Sequence, residues 1–309
     1  MKLVQYDNGG QIGVGVQVGD EVHYTGYQDM LAFIRDEDRA LERARRAAES
    51  GTPVHYDRLI APITNAGKMM GSGPNYVSHG KENPAWVPSD EPRWDFVKLT
   101  SAVTGPYDDI VIPPNDDMIK RLPGGPAKYS EHGFAVDWEV EFAVVMGKVA
   151  KNVPRADWLD HVFGYTVIND VGARSLQFHF DQRDIGKNFD TFSPMGPCIV
   201  TKDEIPDIDE ILIESYVNGE LMQHEYIRDQ LNPPSVAIEW ISSVIRLDPG
   251  DVLSTGTPAG CGTFMNPPRF LKPGDVVRCS ASSIGYIENR VIQGSERTYP
   301  VREAAPTRT

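Results

Sequence analysis

Short apolar runs separated by turn residues make up most of the 309-residue chain. Near the N-terminus, the runs LVQY, IGVGVQV and VHYT are separated by turn signals that contain glycine. Runs of this length with Gly, Asn and Asp between them are typical of antiparallel hairpins. A small β-meander is therefore expected at the start of the chain.

A helical pattern follows from about Tyr27 to Ser50. The stretch DMLAFIRDEDRALERARRAAES is rich in strong helix formers, and Gly51 and Pro53 end it. Together with the meander, this helix predicts a small N-terminal α/β module over residues 1–62.

The next part of the chain, residues 63–295, returns to strand-like runs separated by Gly, Pro and Asp. These runs are DIVIPP, WEVEFAVVMG, HVFGYTVIND, GPCIVT, ILIESYVNG, DVLSTGTP and DVVRCSAS. One segment with helical spacing, SVAIEWISSVIR at residues 235–246, stands among them. The predicted fold class is α+β and β-rich, with a loose polar tail over residues 296–309.

The composition argues against several classes of protein. A formal charge of −14 repels a phosphate backbone, and no Lys/Arg-rich stripe is present, so nucleic-acid binding is not expected. No run approaches the ~18 apolar residues of a membrane span, and the first residues lack a signal-peptide core, so a cytoplasmic protein is expected. The three cysteines are widely spaced without a C-x-x-C pair, which argues against zinc and disulfide frameworks.

Two glutamates lie two residues apart inside an apolar run. Because side chains alternate along a strand, Glu139 and Glu141 of VDWEVEFAVVMG would point to one face, ~7 Å apart along the chain. Two buried carboxylates repel each other unless one is protonated or a cation neutralises them. A hard metal ion is one interpretation; an amphipathic strand with a solvated glutamate face is the other, and both stay open on this pattern alone.

A third carboxylate, Asp170, follows the apolar run HVFGYTVIN, where a strand gives way to a loop. By itself such a residue is more often part of a turn. Three oxygen ligands would suit Mg²⁺, with Mn²⁺ or Ca²⁺ as alternatives, better than they suit Zn²⁺.

Several blocks of the sequence occur in a characteristic order. They are NYVSHGKE, VDWEVEFAVVMGK, GYTVINDVGARSLQ, GKNFDTFSPMGPCIV, VNGE and LDPGDVLSTGTPAGCG, spread over roughly residues 70–290. In combination they resemble the fumarylacetoacetate hydrolase family, in particular its acylpyruvate hydrolase and 2-hydroxyhepta-2,4-diene-1,7-dioate isomerase-like branch. The resemblance implies a mixed β-sandwich roll, a bound Mg²⁺ or Mn²⁺ and a homodimer. It also implies that Glu139, Glu141 and Asp170 are the metal ligands.

A histidine and a glutamate stand three residues apart in the NYVSHGKE block. A carboxylate bonded to one imidazole nitrogen fixes the tautomer and leaves the other nitrogen to act as a base. As an isolated pattern, His79 and Glu82 would more often be a surface pair, but their position in the family block implies a catalytic dyad. The GKNFDTF block similarly implies that Lys187 reaches the metal site, where an ammonium stabilises negative charge on the substrate.

Four further residues are assigned to substrate binding. Tyr76, Arg174 and Gln177 are assigned because they lie in blocks that line the pocket in the family. Thr257 lies in the tight turn of TGTPAG, whose donors could hold a carboxylate; a turn without a ligand fits equally well. Cys261, beside this turn, is interpreted as a buried apolar residue rather than a nucleophile.

These residues predict a metal-dependent hydrolase that cleaves a C–C bond in an acylpyruvate-like 2-oxo acid, through an enolate held by the metal and Lys187. The same charge stabilisation serves an isomerase, a decarboxylase or a dehydratase of a related oxo-acid. A non-catalytic protein that binds a metal and an oxo-acid is the alternative from another class, and the presence of both His79 and Glu82 argues against it.

Overall fold

A computed structural model describes residues 1–83, 94–114 and 117–295. The alternating apolar runs form strands, and the Gly-, Asn- and Asp-containing signals lie in the turns between them. The prediction of a β-rich α+β fold is confirmed. The predicted tail over residues 296–309 lies outside the described residues.

The three N-terminal runs form the expected antiparallel meander. Its strands, with a short later strand that pairs with the first, are β1 (Lys2–Asn8), β2 (Gln11–Val18), β3 (Glu21–Tyr27) and β4 (Arg58–Ile60). The first strand also pairs with a strand far along the chain, with Lys2 opposite Val200. The N-terminal strands therefore extend the main sheet instead of forming one of their own.

The helix expected from Tyr27 to Ser50 is divided into α1 (Met30–Arg35) and α2 (Glu37–Ser50). The break lies at Asp36, whose N–H still bonds to carbonyls of α1, and the next residue, Glu37, has a φ of +44°. A residue in the left-handed region interrupts a right-handed helix. Helix propensity is high on both sides of this point, so the sequence pattern does not show the break.

The rest of the chain adds the remaining strands and five more helices within the described residues. The strands are β5 (Met69–Gly71), β6 (Phe96–Val97), β7 (Val103–Thr104), β8 (Ile110–Ile112), β9 (Val136–Asp137), β10 (Val140–Met146), β11 (Val162–Asn169), β12 (Gly172–Ala173), β13 (Ser193–Thr201), β14 (Leu212–Val217), β15 (Glu220–Tyr226), β16 (Val252–Ser254), β17 (Val276–Ala281) and β18 (Gly285–Gln293). The helices are α3 (Val77–Lys81), α4 (Asp117–Lys120), α5 (Arg174–Gln177), α6 (Asp184–Lys187) and α7 (Pro234–Val244), the last close to the predicted 235–246.

Two larger sheets face each other. One runs β3-β2-β1-β13-β11-β10-β16-β5-β6, with β4 beside β1 and β7 beside β13, and the other runs β15-β14-β17-β18-β8. Strands β10, β11 and β13 pack against β14, β17 and β18 of the second sheet. A small pair, β9 with β12, lies beside them. Among the described helices, none combines the length and the apolar character that crossing a bilayer would need.

Strand β10 is buried on both faces. Phe142 and Val144 belong to the core between the two sheets, while Ala143 and Val145 belong to a second core under α1 and α2. This explains why the run reads as continuously apolar, since a strand covered on both sides needs no polar face. Glu141 therefore lies in a strand with no solvated face.

The fold predicts unequal costs for one substitution at two valines. Val144→Ala removes apolar volume from a fully buried position, so we expect it to lower the free energy of unfolding by about 2 kcal/mol. Val149→Ala makes the same change at a residue that is 51% exposed and should stay within about 0.5 kcal/mol of the parent. Urea unfolding measures both values. Equal costs would contradict the two-sided burial of β10.

Candidate metal centre and active site

Strand register brings the three predicted carboxylates together. In the β10–β11 pair, Val140 lies opposite Asn169, and one position further the Asp170 N–H donates to the Glu139 carbonyl at 2.8 Å. Residues opposite each other in a pair point to one face. Glu139 and Glu141 share that face because they are two apart. One carboxylate oxygen from each of the three lies within 4.8 Å of the others, and all three side chains are buried.

Three buried cations surround this cluster. The Lys187 ammonium bonds to Glu139 and lies 2.7 Å from an Asp170 carboxylate oxygen, and Arg174 lies 2.6 Å from the other Glu139 oxygen. Lys98 lies 2.8 Å from Asp170 and also donates to backbone carbonyls, including that of Phe192 at 2.9 Å. These charges make the burial of the acids tolerable, since a buried charge is stable only when it is paired.

The same cations set the direction of the pKa shifts. Burial alone would raise the pKa of Glu139, but the charges of Arg174 and Lys187 outweigh it and lower this pKa well below its usual range. For Lys187, burial is likewise outweighed, here by Asp170 and Glu139, and its pKa is raised. For Lys98, the cost of burying its charge outweighs the attraction of the Asp170 carboxylate, so the pKa of Lys98 is lowered.

Glu141 is different from its two neighbours. Its carboxylate accepts hydrogen bonds from Ser254 Oγ at 2.5 Å and from the Gly256 N–H at 2.9 Å. Among the described residues, no Lys or Arg forms an ion pair with it. Burial, followed by the charges of Asp170 and Glu139, raises the pKa of Glu141 well above its usual range. The cluster is therefore short of positive charge at Glu141.

The cluster fits a hard divalent cation. All of its donors are carboxylate oxygens, the ligand type that Mg²⁺ and Mn²⁺ prefer. Glu139, Glu141 and Asp170 would hold such an ion, which would supply the charge that Glu141 lacks. The solvated glutamate face, the alternative left open by the sequence, does not occur, because both glutamates are buried.

A further buried acid, Asp137, holds Arg174 in place. One Asp137 oxygen accepts from Arg174 Nε at 2.8 Å, and the carboxylate also accepts the backbone N–H groups of Gly262 and Thr263. Arg174 in turn donates to Gln177 Oε1 at 2.9 Å. Asp137 therefore links the loop after β16 to the arginine beside the metal centre.

The predicted dyad is formed. His79 lies on α3, and its Nδ1 is 2.7 Å from Glu82 Oε2. The other oxygen of Glu82 accepts the Gly260 N–H at 2.8 Å, which fixes the carboxylate. Because Nδ1 is bonded to Glu82, Nε2 is the imidazole nitrogen left for chemistry. His79 also packs edge-on against Phe264.

His79 of the dyad and Glu139 and Glu141 of the carboxylate cluster line one cavity of about 150 Å³. The cavity brings together glutamates of the metal centre, the dyad histidine, three cationic side chains and a few aromatic rings. Its lining residues are Ser72, Gly73, Pro74, His79, Gly80, Asn83, Phe96, Glu139, Glu141, Arg174, Gln177, Phe178, Arg183, Lys187, Thr257 and Phe264. A cavity of this volume suits a small organic acid.

Three of the four residues assigned to substrate binding, Thr257, Arg174 and Gln177, line the cavity, and Tyr76 does not. Tyr76 is fully buried behind the cavity lining, and its hydroxyl accepts from Gln230 Nε2 at 3.0 Å. Thr257 lines the cavity, but its hydroxyl already donates to the Val140 carbonyl and accepts from Gln223. Arg174 and Gln177 line the cavity as expected.

Sequence reasoning missed three charged residues of this region. Asp137 has the same period-two phase as Glu139 and Glu141, so extending that pattern by one step would have found it. Lys98 is a lone charge in the apolar run FVKL, which is a weak signal. Arg183, in FDQRD, has none, because only the fold places it at the cavity.

Comparison with known proteins gives a consistent picture. A family model described as "Fumarylacetoacetate (FAA) hydrolase C-terminal" matches residues 68–292. The oxaloacetate tautomerase fahd2, mitochondrial, of Xenopus laevis is 38% identical over 307 residues, covering 94% of this chain and 90% of its own. The human oxaloacetate tautomerase FAHD2A, mitochondrial, is 39% identical over 268 residues, covering 85% of this chain and 79% of its own.

Solved structures agree with these relatives. A fumarylacetoacetate hydrolase from Exiguobacterium antarcticum is 30% identical with a TM-score of 0.79, covering 95% of this chain and all of its own. The maleylpyruvate hydrolase from Sphingobium sp. SYK-6, in complex with manganese(II) and pyruvate, is 29% identical with a TM-score of 0.75, covering 96% of this chain and all of its own.

The raised pKa of Glu141 predicts how cation binding depends on pH. Below that pKa, Glu141 carries a proton that an incoming Mg²⁺ must displace, so affinity should fall about tenfold per pH unit as the solution is acidified. Glu141→Gln should weaken Mg²⁺ binding and flatten this slope. Calorimetry in buffers of different ionisation enthalpy measures the affinity and the released proton.

Glu220→Gln, at an exposed position outside the cluster, is the matched control and should keep the parent slope. A Glu141→Gln protein that binds Mg²⁺ with the parent affinity and pH slope would contradict the assignment of Glu141 as a ligand.

Proposed function

The chain belongs to the fumarylacetoacetate hydrolase family, and from this premise we propose that it is a metal-dependent tautomerase of a small 2-oxo dicarboxylate, with oxaloacetate as the candidate substrate. One observation carries the proposal: a fixed imidazole base and a buried carboxylate cluster open on the same small cavity. Interconversion of keto and enol forms needs a base beside the acidic carbon and a means of stabilising charge on the oxygen. Relatives named oxaloacetate tautomerase support the substrate.

A divalent ion bound by Glu139, Glu141 and Asp170 would withdraw electrons from a chelated 2-oxo acid. His79 Nε2 takes the proton from the carbon next to the keto group. Glu82 keeps the proton on Nδ1 and stabilises the imidazolium that forms, as the carboxylate does in other His–acid pairs. The Gly260 N–H holds Glu82 in place, so the base keeps its direction during the proton transfer.

Lys187 acts at the substrate oxygen. Its ammonium stays charged because Asp170 and Glu139 outweigh the cost of burial. A buried, fixed positive charge beside the keto oxygen stabilises the negative charge that develops there when the carbon loses its proton. Arg174, held by Asp137, supports this arrangement by fixing Glu139.

Arg183 supports a substrate with a second carboxylate. Of the three cations that line the cavity, Arg174 and Lys187 are buried in ion pairs with the acids of the metal centre. The Arg183 side chain is 43% exposed, and among the described residues its ion-pair partner is Asp95, with a carboxylate oxygen 3.4 Å away. It is therefore the lining cation best able to bind an anionic group that enters from solvent.

A second candidate is the predicted hydrolysis of an acylpyruvate. His79 Nε2 could activate a water molecule instead of removing a carbon-bound proton, provided that the cavity holds water beside the distal carbonyl. The hydrolase solved with manganese(II) and pyruvate supports this alternative. Isomerisation and decarboxylation use the same groups and stay within the proposal as further reaction types. The homodimer and the cytoplasmic location remain predictions, while the relatives named above are described as mitochondrial.

The dyad predicts a large loss of activity on mutation. In the presence of Mg²⁺, His79→Asn and Glu82→Gln should each slow oxaloacetate enol-to-keto conversion by about 10²–10⁴-fold, since they remove the base or its orientation. The decay of enol absorbance in the ultraviolet, corrected for the uncatalysed rate, measures this. A chelator should abolish the parent activity.

A second His–Glu pair provides the matched control. His224 Nδ1 lies 2.8 Å from Glu214 on an exposed strand face, so His224→Asn should leave the rate unchanged. Running the same variants on a panel of acylpyruvates separates the two candidates: cleavage without accelerated tautomerisation would replace the tautomerase proposal by the hydrolase.

Arg183 predicts a selective effect on substrate affinity. Arg183→Ala should raise the KM for oxaloacetate about tenfold, the value of one partly solvated charge-assisted hydrogen bond. Inhibition by oxalate, which chelates a metal but lacks a remote carboxylate, should not change. Arg155→Ala, which removes an exposed arginine paired with Glu239, is the control. An equal loss of affinity for oxalate and for oxaloacetate would show that Arg183 does not bind the second carboxylate of oxaloacetate.

A further inference from the structure

A second cluster of ligand atoms lies beside the first and differs from it in chemistry. His79, Glu139 and Cys261 each offer one atom, these atoms all lie within 4.8 Å of one another, and all three residues are buried. The set combines nitrogen, oxygen and sulfur, whereas the trio of Glu139, Glu141 and Asp170 offers only oxygen. No ligand spacing predicts this cluster, because 182 positions separate His79 from Cys261.

The fold orients two of the three ligands. His79 Nδ1 is bonded to Glu82, which leaves Nε2 for coordination in the carboxylate–histidine arrangement common at metal sites. The loop that carries Cys261 is fixed on both sides, since Gly260 N–H donates to Glu82 and Gly262 N–H donates to Asp137.

The remaining contacts of Cys261 and Glu139 do not use all of their capacity to bind a cation. Cys261 Sγ faces Gln223 Nε2 at 3.7 Å, a weak contact that metal coordination can replace. The Glu139 oxygens are paired with Arg174 and Lys187, but each carboxylate oxygen keeps a second lone pair.

We propose that His79, Cys261 and Glu139 form a second metal site, selective for Zn²⁺ and other thiophilic divalent ions, and that its occupation inhibits the enzyme. Zinc takes Cys, His and carboxylate ligands at about 2.0–2.3 Å in a tetrahedron, so its ligand atoms lie about 3.3–3.8 Å apart. The three ligand atoms lie within 4.8 Å of one another, so they must approach each other by about 1 Å to coordinate Zn²⁺. Binding releases the Cys261 thiol proton to solvent and leaves the fourth position to water.

Ligand chemistry separates the two sites. Mg²⁺ demands oxygen ligands in an octahedron and gains little from sulfur, while Zn²⁺ binds thiolate and imidazole strongly. Zn²⁺ at the second site would occupy His79 Nε2 and share Glu139 with the carboxylate trio. The inhibition rests on the proposed function, because it assumes that Nε2 is the base; the binding itself does not.

Binding of Co²⁺ tests the proposed second metal site independently of enzyme activity. With saturating Mg²⁺ present, Co²⁺ added to the protein should produce the near-ultraviolet thiolate-to-cobalt charge-transfer band and the intense visible bands of tetrahedral Co²⁺. Cys261→Ala should lose the thiolate band and His79→Asn should weaken Co²⁺ binding at least tenfold. Cys279→Ala, which removes another buried cysteine, should keep the band. Thermal unfolding checks that each variant is folded, and Cys261→Ser serves as a second variant.

Absence of a thiolate band in the parent protein at millimolar Co²⁺, or a band that survives in folded Cys261→Ala and Cys261→Ser, would overturn the site. Inhibition is tested separately by titrating Zn²⁺ against the Mg²⁺-supported rate, with each protein compared with its own zinc-free activity. We expect Cys261→Ala to need at least tenfold more Zn²⁺ than the parent. If the cobalt band depends on Cys261 but Zn²⁺ does not inhibit the enzyme, the second metal site is supported and the assignment of His79 as the base is contradicted.

Discussion

Four acidic side chains are buried where β10 begins and β11 ends, and their mutual repulsion is the constraint around which this region is built. Asp137, Glu139 and Asp170 are offset by Arg174, Lys187 and Lys98, whereas Glu141 has only neutral donors. A buried charge without a partner is strongly destabilising, so each cation secures the stability of the core as well as the chemistry of the site. The imbalance at Glu141 is what gives the cluster its demand for a metal ion.

Part of the site could be predicted because it follows a local rule. Strand periodicity alone places Glu139 and Glu141 on one face, and the end of an apolar run marks Asp170. Strand periodicity does not give the partners of these acids: Lys187 is expected at the site only from the family resemblance and Lys98 is not expected, because both reach Asp170 through the packing of the fold. The same holds for the fold: strands and α7 follow from pattern, but the pairing of β1 with β13 depends on tertiary contacts, and the break at Asp36 has no signal in the helix pattern.

The groups proposed for catalysis do not by themselves determine which reaction the protein would carry out. An oriented imidazole, a fixed ammonium and a bound cation serve proton transfer at carbon and hydrolysis equally well. Under the proposed function, the two reactions would differ in whether a water molecule fits between His79 and the substrate, and Arg183 and Phe178 in the cavity lining would influence this.

The pairing of β1 with β13 also covers part of an edge of the main sheet. The family model begins at residue 68, yet a shortened chain that starts there would lack β1 and leave the Ile199–Val200 part of β13 with unpaired backbone groups. An exposed apolar strand edge is a template for intermolecular pairing. The first strands thus act as a protective cover, and truncation before β5 would expose this edge and favour aggregation.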